Sequence, residues 1–296
     1  MNEFIIVEVG STTTKAYLCK DEEIKSIGFK TIEFKKNFKQ EQKINEEDKK
    51  KLFAFIADIK YKNIYVYGTS IFRKLDERAK ESWLEEFKKA TNLDFNIVSA
   101  DLENEYTVYG AVSNVKYDKN IAVMIGGGGS TELSIVNNGK IIESINYDFG
   151  AGDVTDKFPD LMKDYAKTDY QEMVNYVKTL VKPPKNKADI LILAGGDYIY
   201  FYEELKYNIA KNEFYDNPLQ PYRIDIKTMD ELDQDFFYNK SLEEIIKRTN
   251  DAGWWNGARG MRICVKTISD IVNASYIIPT RINMVYGIAE KIKNKL

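Results

Sequence analysis

Four consecutive glycines stand between two apolar stretches in the segment VMIGGGGSTELSIV, residues 123–136. The pattern predicts a buried strand, a tight turn and a second strand. Glycines leave backbone N–H groups uncovered by side chains, and neighbouring hydroxyls add further donors, so such a turn can hold an anion such as phosphate. The residues that we expect to bind phosphate here are Gly127, Gly128, Gly129, Ser130 and Thr131.

A second turn of similar character lies in the segment VEVGSTTTKAYL, residues 7–18. Here Ser11, Thr12 and Thr13 follow a glycine and predict a second phosphate-binding loop. Glu8 lies inside an otherwise apolar strand, where a carboxylate needs a partner such as a divalent metal ion. A plain hairpin rich in Ser and Thr is the alternative, but the presence of two such loops favours a phosphate site.

Two further segments carry charged groups that suit phosphate chemistry. In VYGTSIFRKL, Arg73 follows a predicted strand, and its planar fork is suited to binding a phosphate. In SADLENEYTVYGAV, the acids Asp101, Glu103 and Glu105 stand at the start of a predicted helix. Acids there also stabilise the helix dipole. A carboxylate that faces a cleft could instead act as a general base towards water.

The composition excludes several classes of catalytic site. The 296 residues contain no histidine, which removes Ser-His-Asp and Cys-His nucleophiles and histidine metal ligands. A net charge of −3 argues against general nucleic-acid binding. Cys19 and Cys264 are expected to be unpaired thiols. No apolar run is long enough to span a membrane, and we expect a cytoplasmic protein.

The order of predicted elements repeats along the chain. Residues 3–32 and 120–150 each read as strand, turn, strand, turn, strand, and each unit is followed by helices. The repeat predicts a duplicated α/β protein with a cleft between the copies. We place the two lobes at 1–116 and 117–296, with the last helix able to pack back on the first lobe.

Local signals also predict where several elements begin and end. Asn45 is a candidate N-cap, and the helix near residue 100 should enter from Ser99. The third strand is expected to run to Phe34. Further helices are expected near 229–238, 241–250, 258–274 and 282–294.

The quoted motifs resemble those of the exopolyphosphatase / guanosine pentaphosphate phosphohydrolase family, within the actin–sugar kinase–heat-shock ATPase superfamily. GGGSTEL at 127–133 matches the family's second phosphate loop letter for letter. EVGSTTT, GTSIFR, SADLENEYTVYGAV and YDFGAGDVTDKF resemble its first phosphate loop, its Thr-Ser-x-x-Arg segment, its glutamate-bearing helix and its Leu-Gly-Ala segment. The resemblance spans most of residues 3–160. It implies duplicated ribonuclease-H-like (actin-like ATPase) domains, with mixed sheets flanked by helices and an interdomain cleft.

The resemblance also implies a role for each matching residue. Glu103 falls at the family's catalytic glutamate, the base that activates water, and Arg73 at its arginine. Glu8 and Glu132 fall at acids of the two loops and would bind Mg²⁺. The implied reaction is Mg²⁺-dependent hydrolysis of terminal phosphoanhydride bonds in inorganic polyphosphate or guanosine pentaphosphate. A homodimer is left open.

The sequence departs from the family pattern at three positions. Ile125 stands where the family has an acid, two residues before GGGSTEL, and Glu105 replaces an arginine. Glu8 stands where the family generally has aspartate. An isoleucine cannot bind a metal ion. The alternative function is therefore a catalytically weakened sensor that binds phosphate or nucleotide ligands.

The first loop is also similar to that of the activator ATPases of 2-hydroxyacyl-CoA dehydratases. Those proteins hold an iron–sulfur cluster with paired cysteines, whereas Cys19 lies in a strand pattern and Cys264 in a helix pattern. Sugar or acetate kinase activity is compatible with the fold class, but a fold is a weak argument for a function.

Overall fold

The computed structural model describes residues 3–21, 23–41 and 43–294. The chain forms two compact units, one made of the chain up to Tyr106 and from Met284 onward, the other of Thr107–Asn283. Each unit contains a mixed β-sheet flanked by helices. The α/β fold class expected from the sequence is confirmed.

Both sheets contain the same five-strand arrangement. The first has the order β3-β2-β1-β4-β5 and the second the order β10-β11-β12-β9-β6-β7-β8. In each, three antiparallel strands are extended by two strands parallel to the first. The strands are β1 Phe4–Val9, β2 Thr13–Lys20, β3 Glu23–Thr31, β4 Ile64–Gly68, β5 Phe95–Ile97, β6 Ile121–Gly126, β7 Thr131–Asn137, β8 Lys140–Tyr147, β9 Ile190–Ala194, β10 Ala210–Lys211, β11 Tyr222–Asp225 and β12 Tyr276–Pro279.

The helices follow the strands as the repeated pattern predicts. They are α1 Phe34–Glu41, α2 Glu46–Ala57, α3 Glu77–Thr91, α4 Ala100–Val112, α5 Ala151–Lys157, α6 Tyr170–Leu180, α7 Tyr198–Leu205, α8 Ile226–Gln234, α9 Leu242–Thr249, α10 Ala252–Val272 and α11 Met284–Lys293. Short 3₁₀ segments cover Ser70–Lys74 and Pro159–Met162, and Asp235–Asn239 is π-helical. Among residues 3–21, 23–41 and 43–294, no helix is both long and apolar enough to cross a membrane.

Alternation along β1 divides the core of the first unit into two layers. Ile5, Val7 and Val9 share one cluster with side chains of α2 and α3. Phe4 and Ile6 point to the opposite face, where α11 covers them. The last helix of the chain therefore belongs to the core of the first unit.

Capping residues confirm two predicted helix starts. The Asn45 side chain accepts a hydrogen bond from the Glu47 N–H at 2.8 Å, at the start of α2. The Ser99 hydroxyl accepts one from the Leu102 N–H at 3.2 Å, at the start of α4. The prediction that the third strand runs to Phe34 is wrong, because β2 ends its pairing with β3 where Thr13 meets Thr31. Phe34 instead begins α1.

A buried arginine joins separate segments of the second unit. Arg259 of α10 is fully buried, and its hydrogen-bond acceptors are backbone carbonyls. Its guanidinium donates to the carbonyl oxygens of Lys163 at 2.5 Å, Asp164 at 2.7 Å, Phe236 at 3.0 Å and Lys240 at 3.1 Å. Lys163, Asp164 and Lys240 lie in bends and Phe236 lies in the π-helical segment, and the arginine supplies donors to all four carbonyls.

We expect Arg259→Met to destabilise the protein by about 3 kcal/mol or more, because several buried carbonyl groups would lose their donor together. The measurement is urea unfolding followed by circular dichroism. Arg248→Met is the matched control, since Arg248 is exposed and bonds a single carbonyl, that of Glu204. Equal losses of stability in the two variants would contradict the assigned role.

Candidate active site

The first loop is closed by its own backbone. The Gly10 N–H donates to the Thr13 carbonyl at 3.0 Å, and a Cβ on Gly10 would lie 2.9 Å from that oxygen. The loop carbonyls face the segment that follows β3: Ser11 accepts from the Lys35 N–H at 2.8 Å and Thr12 from the Ile32 N–H at 3.1 Å. The loop is therefore held at its base by backbone contacts alone.

The glycine loop is closed in the same way. The Gly127 N–H donates to the Ser130 carbonyl at 2.9 Å. The carbonyls of Gly127 and Gly128 accept hydrogen bonds from the first N–H groups of α5, from Ala151 at 3.0 Å and Gly152 at 2.8 Å. These bonds satisfy donors that the first turn of a helix leaves without a partner.

The direction of these carbonyls fixes the direction of the loop N–H groups. In a trans peptide the C=O and the following N–H point to opposite sides. Since the carbonyls of Gly127 and Gly128 point to α5, the N–H groups of Gly128 and Gly129 point away from it. A Cβ on either of these two glycines would meet no atom within 4 Å, so both glycines lie beside open space. The arrangement suits an anion.

The hydroxyls of the glycine loop differ in accessibility. Ser130 is exposed, as expected for a phosphate donor. Thr131 is fully buried at the start of β7, and its hydroxyl has no partner among the described residues. The hydroxyl of Thr131 is thus not presented on the open side of the loop, in contrast to the sequence-based expectation.

Strand register shows which residues of the two loops correspond. Glu8 lies directly opposite Lys15 in the β1–β2 pair, and Ile125 lies directly opposite Glu132 in the β6–β7 pair. Ile125 is thus the counterpart of Glu8, and Glu132 the counterpart of Lys15. Residues directly opposite in an antiparallel pair share a sheet face. Sequence reasoning did not assign a role to Lys15, although its cross-strand position could have indicated one.

Glu8 occupies an unfavourable environment for a carboxylate. Burial raises its pKa, the charge of Lys15 opposes that rise, and the charge of Glu103 adds to it. The Tyr17 hydroxyl donates a hydrogen bond to its carboxylate at 3.4 Å. A bound cation would relieve both the burial and the repulsion.

Arg73 and Glu103 form an ion pair in the first unit, a contact that the sequence analysis did not predict. The Arg73 Nη1 donates to Glu103 Oε2 at 2.6 Å and to the Val98 carbonyl at 3.0 Å. Both side chains are partly exposed, so the pair remains open to solvent. The hydrogen bond to the Val98 carbonyl holds Arg73 in position, and Arg73 in turn orients the Glu103 carboxylate.

The charge reversal at Glu105 is compensated within the first unit. Lys291 of α11 forms an ion pair with Glu105 at 2.6 Å, and its ammonium lies 4.5 Å from the centre of the Tyr106 ring. Next to this contact, a Cβ on Gly287 would lie 1.9 Å from the Tyr106 carbonyl oxygen. Helices α4 and α11 therefore pack closely, and the ion pair between Glu105 and Lys291 joins them.

Ile125 contacts the turn after β9. A Cβ on Gly195 would lie 2.6 Å from Ile125 Cγ2, and Gly195 has a φ of +84°, so both space and backbone conformation require glycine there. Ile125 also pairs with Ala194 in the parallel register. The position that holds an acid in the family pattern is thus part of an apolar contact.

The carboxylates beside the two loops are the candidate ligands for Mg²⁺. Within the described part of the chain, no group of three or more Asp, Glu, Cys or His side chains lies close enough to hold a metal ion. Mg²⁺ commonly binds through one or two carboxylates together with substrate phosphates and water. Glu8 lies beside the first loop and Glu132 beside the glycine loop, so the chemistry of each carboxylate fits a metal ion that arrives with a phosphate.

Comparison with known proteins identifies a family whose matched segment includes the glycine loop. A sequence model of the Ppx/GppA phosphatase family matches residues 30–251. The bifunctional 3-dehydroquinate synthase/phosphatase of Fusobacterium nucleatum is 32% identical over 152 residues, which is 49% of this chain and 22% of that protein. The match therefore spans about a fifth of that relative.

Two crystal structures have the same fold over nearly the whole chain. The type II variant of the Aquifex aeolicus Ppx/GppA phosphatase superposes with a TM-score of 0.73 at 16% identity, covering 97% of this chain and 98% of that chain. An exopolyphosphatase from Cytophaga hutchinsonii gives 0.70 at 16% identity, covering 100% and 99%. At these identities the two structures establish the fold.

We expect Gly128→Val to weaken the binding of inorganic phosphate and tripolyphosphate strongly while leaving the protein folded. A Cβ at Gly128 meets no protein atom within 4 Å, and a branched side chain next to the loop N–H groups would crowd a bound anion. The described glycines with positive φ are Gly139 and Gly195, so the substitution causes no backbone strain of that kind. Calorimetric titration measures binding, and an unchanged dissociation constant in the folded variant would contradict the loop's role.

We expect Ile125→Asp to lower the Mg²⁺ concentration that gives half-maximal phosphate release. The new carboxylate would share a sheet face with Glu132. The variant should also be less stable without metal, because a charged group replaces an apolar contact with Gly195.

Ile125→Asn is the matched control, since it has the size of aspartate without the charge. Thermal melts with and without Mg²⁺ should show metal-dependent recovery of stability in the aspartate variant alone. Equal responses of both variants to Mg²⁺ would show that residue 125 does not face a metal site.

Proposed function

Because the chain belongs to the Ppx/GppA phosphatase family, we propose that it hydrolyses terminal phosphoanhydride bonds in inorganic polyphosphate or guanosine pentaphosphate. The observation that carries the proposal is the glycine loop, whose N–H groups point to its open side because α5 binds its carbonyls. A phosphate-binding loop is the kind of site that a phosphatase family requires.

The proposed phosphate ligands belong to two groups. In the first unit they are the backbone and hydroxyls of Ser11, Thr12 and Thr13, together with Arg73. In the second unit they are the N–H groups of Gly128 and Gly129 and the hydroxyl of Ser130. Arg73 uses Nη1 for its contacts with Val98 and Glu103, so Nε and Nη2 would be the donors to the phosphate.

In the proposed reaction, a water oxygen forms a bond to the terminal phosphorus, and the bond between that phosphorus and the bridging oxygen breaks. Glu103 accepts the proton that the water loses. Its carboxylate suits this role because Arg73 holds one oxygen at 2.6 Å and thereby orients the other. The released chain is shorter by one phosphate.

Glu8 and Glu132 would hold Mg²⁺ together with phosphate oxygens. When bound, the ion neutralises phosphate charge and helps to orient the phosphate chain. The raised pKa of Glu8, caused mainly by burial, supports a cation at this position.

A sensor that binds phosphate ligands without turnover is the second candidate. The observation that favours it is the apolar contact between Ile125 and Gly195 at the position where the family pattern has an acid. A malachite-green assay with polyphosphate, guanosine pentaphosphate and ATP, with and without Mg²⁺, distinguishes the two. Binding without phosphate release would favour the sensor.

We expect Glu103→Gln to abolish phosphate release, with a loss of roughly 10²–10⁴ in rate, because the amide cannot accept the proton of water. Ligand affinity should change little, since the side chain keeps its size. Asp101→Asn is the matched control, because Asp101 is an exposed acid in the first turn of the same helix. A rate for Glu103→Gln close to that of the control would remove Glu103 from the mechanism.

A further inference from the structure

A cavity of about 460 Å³ lies on the first sheet, beside the end of α11. It is lined by Tyr65 and Tyr67 of β4, Asn96 of β5 and Ile292 of α11. Tyr67 and Asn96 are register partners in the parallel pair, so they share a sheet face, and the two tyrosines pack on the face that α11 covers. The cavity therefore lies on that face, next to the edge strand β5.

The cavity runs away from the proposed phosphate site. Its lining extends from Tyr67 towards Ile64, the first residue of β4, which is in register with Ile5 near the start of β1. The first loop follows the other end of β1, after Val9. All described lining residues belong to the first unit, so that unit by itself forms the cavity. A ligand here would therefore occupy a site of its own.

The described lining of the cavity carries no net charge. Its charged side chains are Lys88 and Asp94, which form an ion pair with each other at 2.8 Å. Because each of these charges has its opposite beside it in the wall, the described lining offers no unpaired charge to a phosphate, a carboxylate or an amine. The ligand that suits the cavity is therefore an uncharged molecule.

The uncharged polar groups of the lining are available to a ligand. Within residues 3–21, 23–41 and 43–294, neither the Tyr65 hydroxyl nor the Tyr67 hydroxyl forms a hydrogen bond with protein. Asn96 donates through Nδ2 to the Val66 carbonyl at 3.0 Å, which leaves Oδ1 as an acceptor. Donors and acceptors thus lie beside two aromatic rings and the apolar side chain of Ile292.

We propose that this cavity binds a neutral polyhydroxylated ring, such as a monosaccharide or a cyclitol. Such a ring has a C–H face that packs on aromatic side chains, and hydroxyl groups around its edge that exchange hydrogen bonds with phenols and amides. The volume of the cavity lies in the range of small-molecule sites, which are lined by aromatic side chains with a few polar groups. The proposal does not depend on the proposed hydrolysis, which uses other residues.

Binding is measured by calorimetry and by ligand-observed NMR on the whole chain, without Mg²⁺ or phosphate. The neutral probes are glucose, galactose, mannose and myo-inositol, and we expect at least one to bind with a Kd of about 1 mM or below. Glucuronate and glucosamine carry one charge each and should bind at least about tenfold more weakly, because the wall has no charge to offer them. Cyclohexanol, a ring with a single hydroxyl, should also bind more weakly.

Tyr67→Phe tests the location, because it removes one hydroxyl and keeps the ring. We expect the affinity for the neutral probe to fall about fivefold. Asn96→Leu keeps the approximate shape of the side chain without its polar atoms and should have a similar effect. Tyr61→Phe and Asn63→Leu are the matched controls, since both residues are exposed, precede β4 and lie outside the lining. Their affinities should equal that of the unmodified chain.

The inference is overturned if none of the four neutral probes binds at about 10 mM, or if the cavity variants and the controls give equal affinities. Equal binding of the charged sugars or of cyclohexanol would overturn the assigned ligand class. Circular dichroism checks that each variant is folded. If Asn96→Leu is misfolded, Tyr67→Phe decides alone, because the loss of one hydroxyl leaves the packing of the ring in place.

Discussion

Two backbone hydrogen bonds, from the N–H groups of Ala151 and Gly152 to the carbonyls of Gly127 and Gly128, determine how the glycine loop can be used. They fix the peptide planes, and with them the direction of the next N–H groups. They also require that no side chain intervenes, since a Cβ on Gly150 would lie 2.3 Å from the Gly127 oxygen. The anion-binding character of the loop thus depends on a segment twenty or so residues further along the chain.

The sequence predicted the features that depend on neighbouring residues and missed those that depend on distant ones. The two loops, the cap at Asn45 and the strands of the repeat follow from local composition and period. The strand β12 could not be predicted in this way, because YIIP is short and ends in proline. It is a strand only through its pairing with β9 and β11. The ion pair of Glu105 with Lys291 and the cavity beside the end of α11 likewise need the folded chain.

The repeated loops show how one backbone arrangement can carry different charges. In both units a cross-strand pair stands at the base of the loop, but the acid is on the first strand in one unit and on the second strand in the other. Glu8 faces a lysine, whereas Glu132 faces an isoleucine. A sequence motif read along one strand cannot reveal this exchange, because the partner is supplied by register. The two loops can therefore share one backbone arrangement while the charges of their cross-strand pairs differ.

The packing of α11 on the first sheet has a consequence for the order of events during synthesis. Phe4 and Ile6 begin the chain's first strand, yet Ile288 and Ala289, which cover them, are made only after the entire second unit. Until then this face of the sheet presents apolar surface to water or to whatever else the nascent chain meets. The opposite face has its cover early, from α2 and α3. Of the two units, the one that begins to be synthesised earlier is therefore completed later.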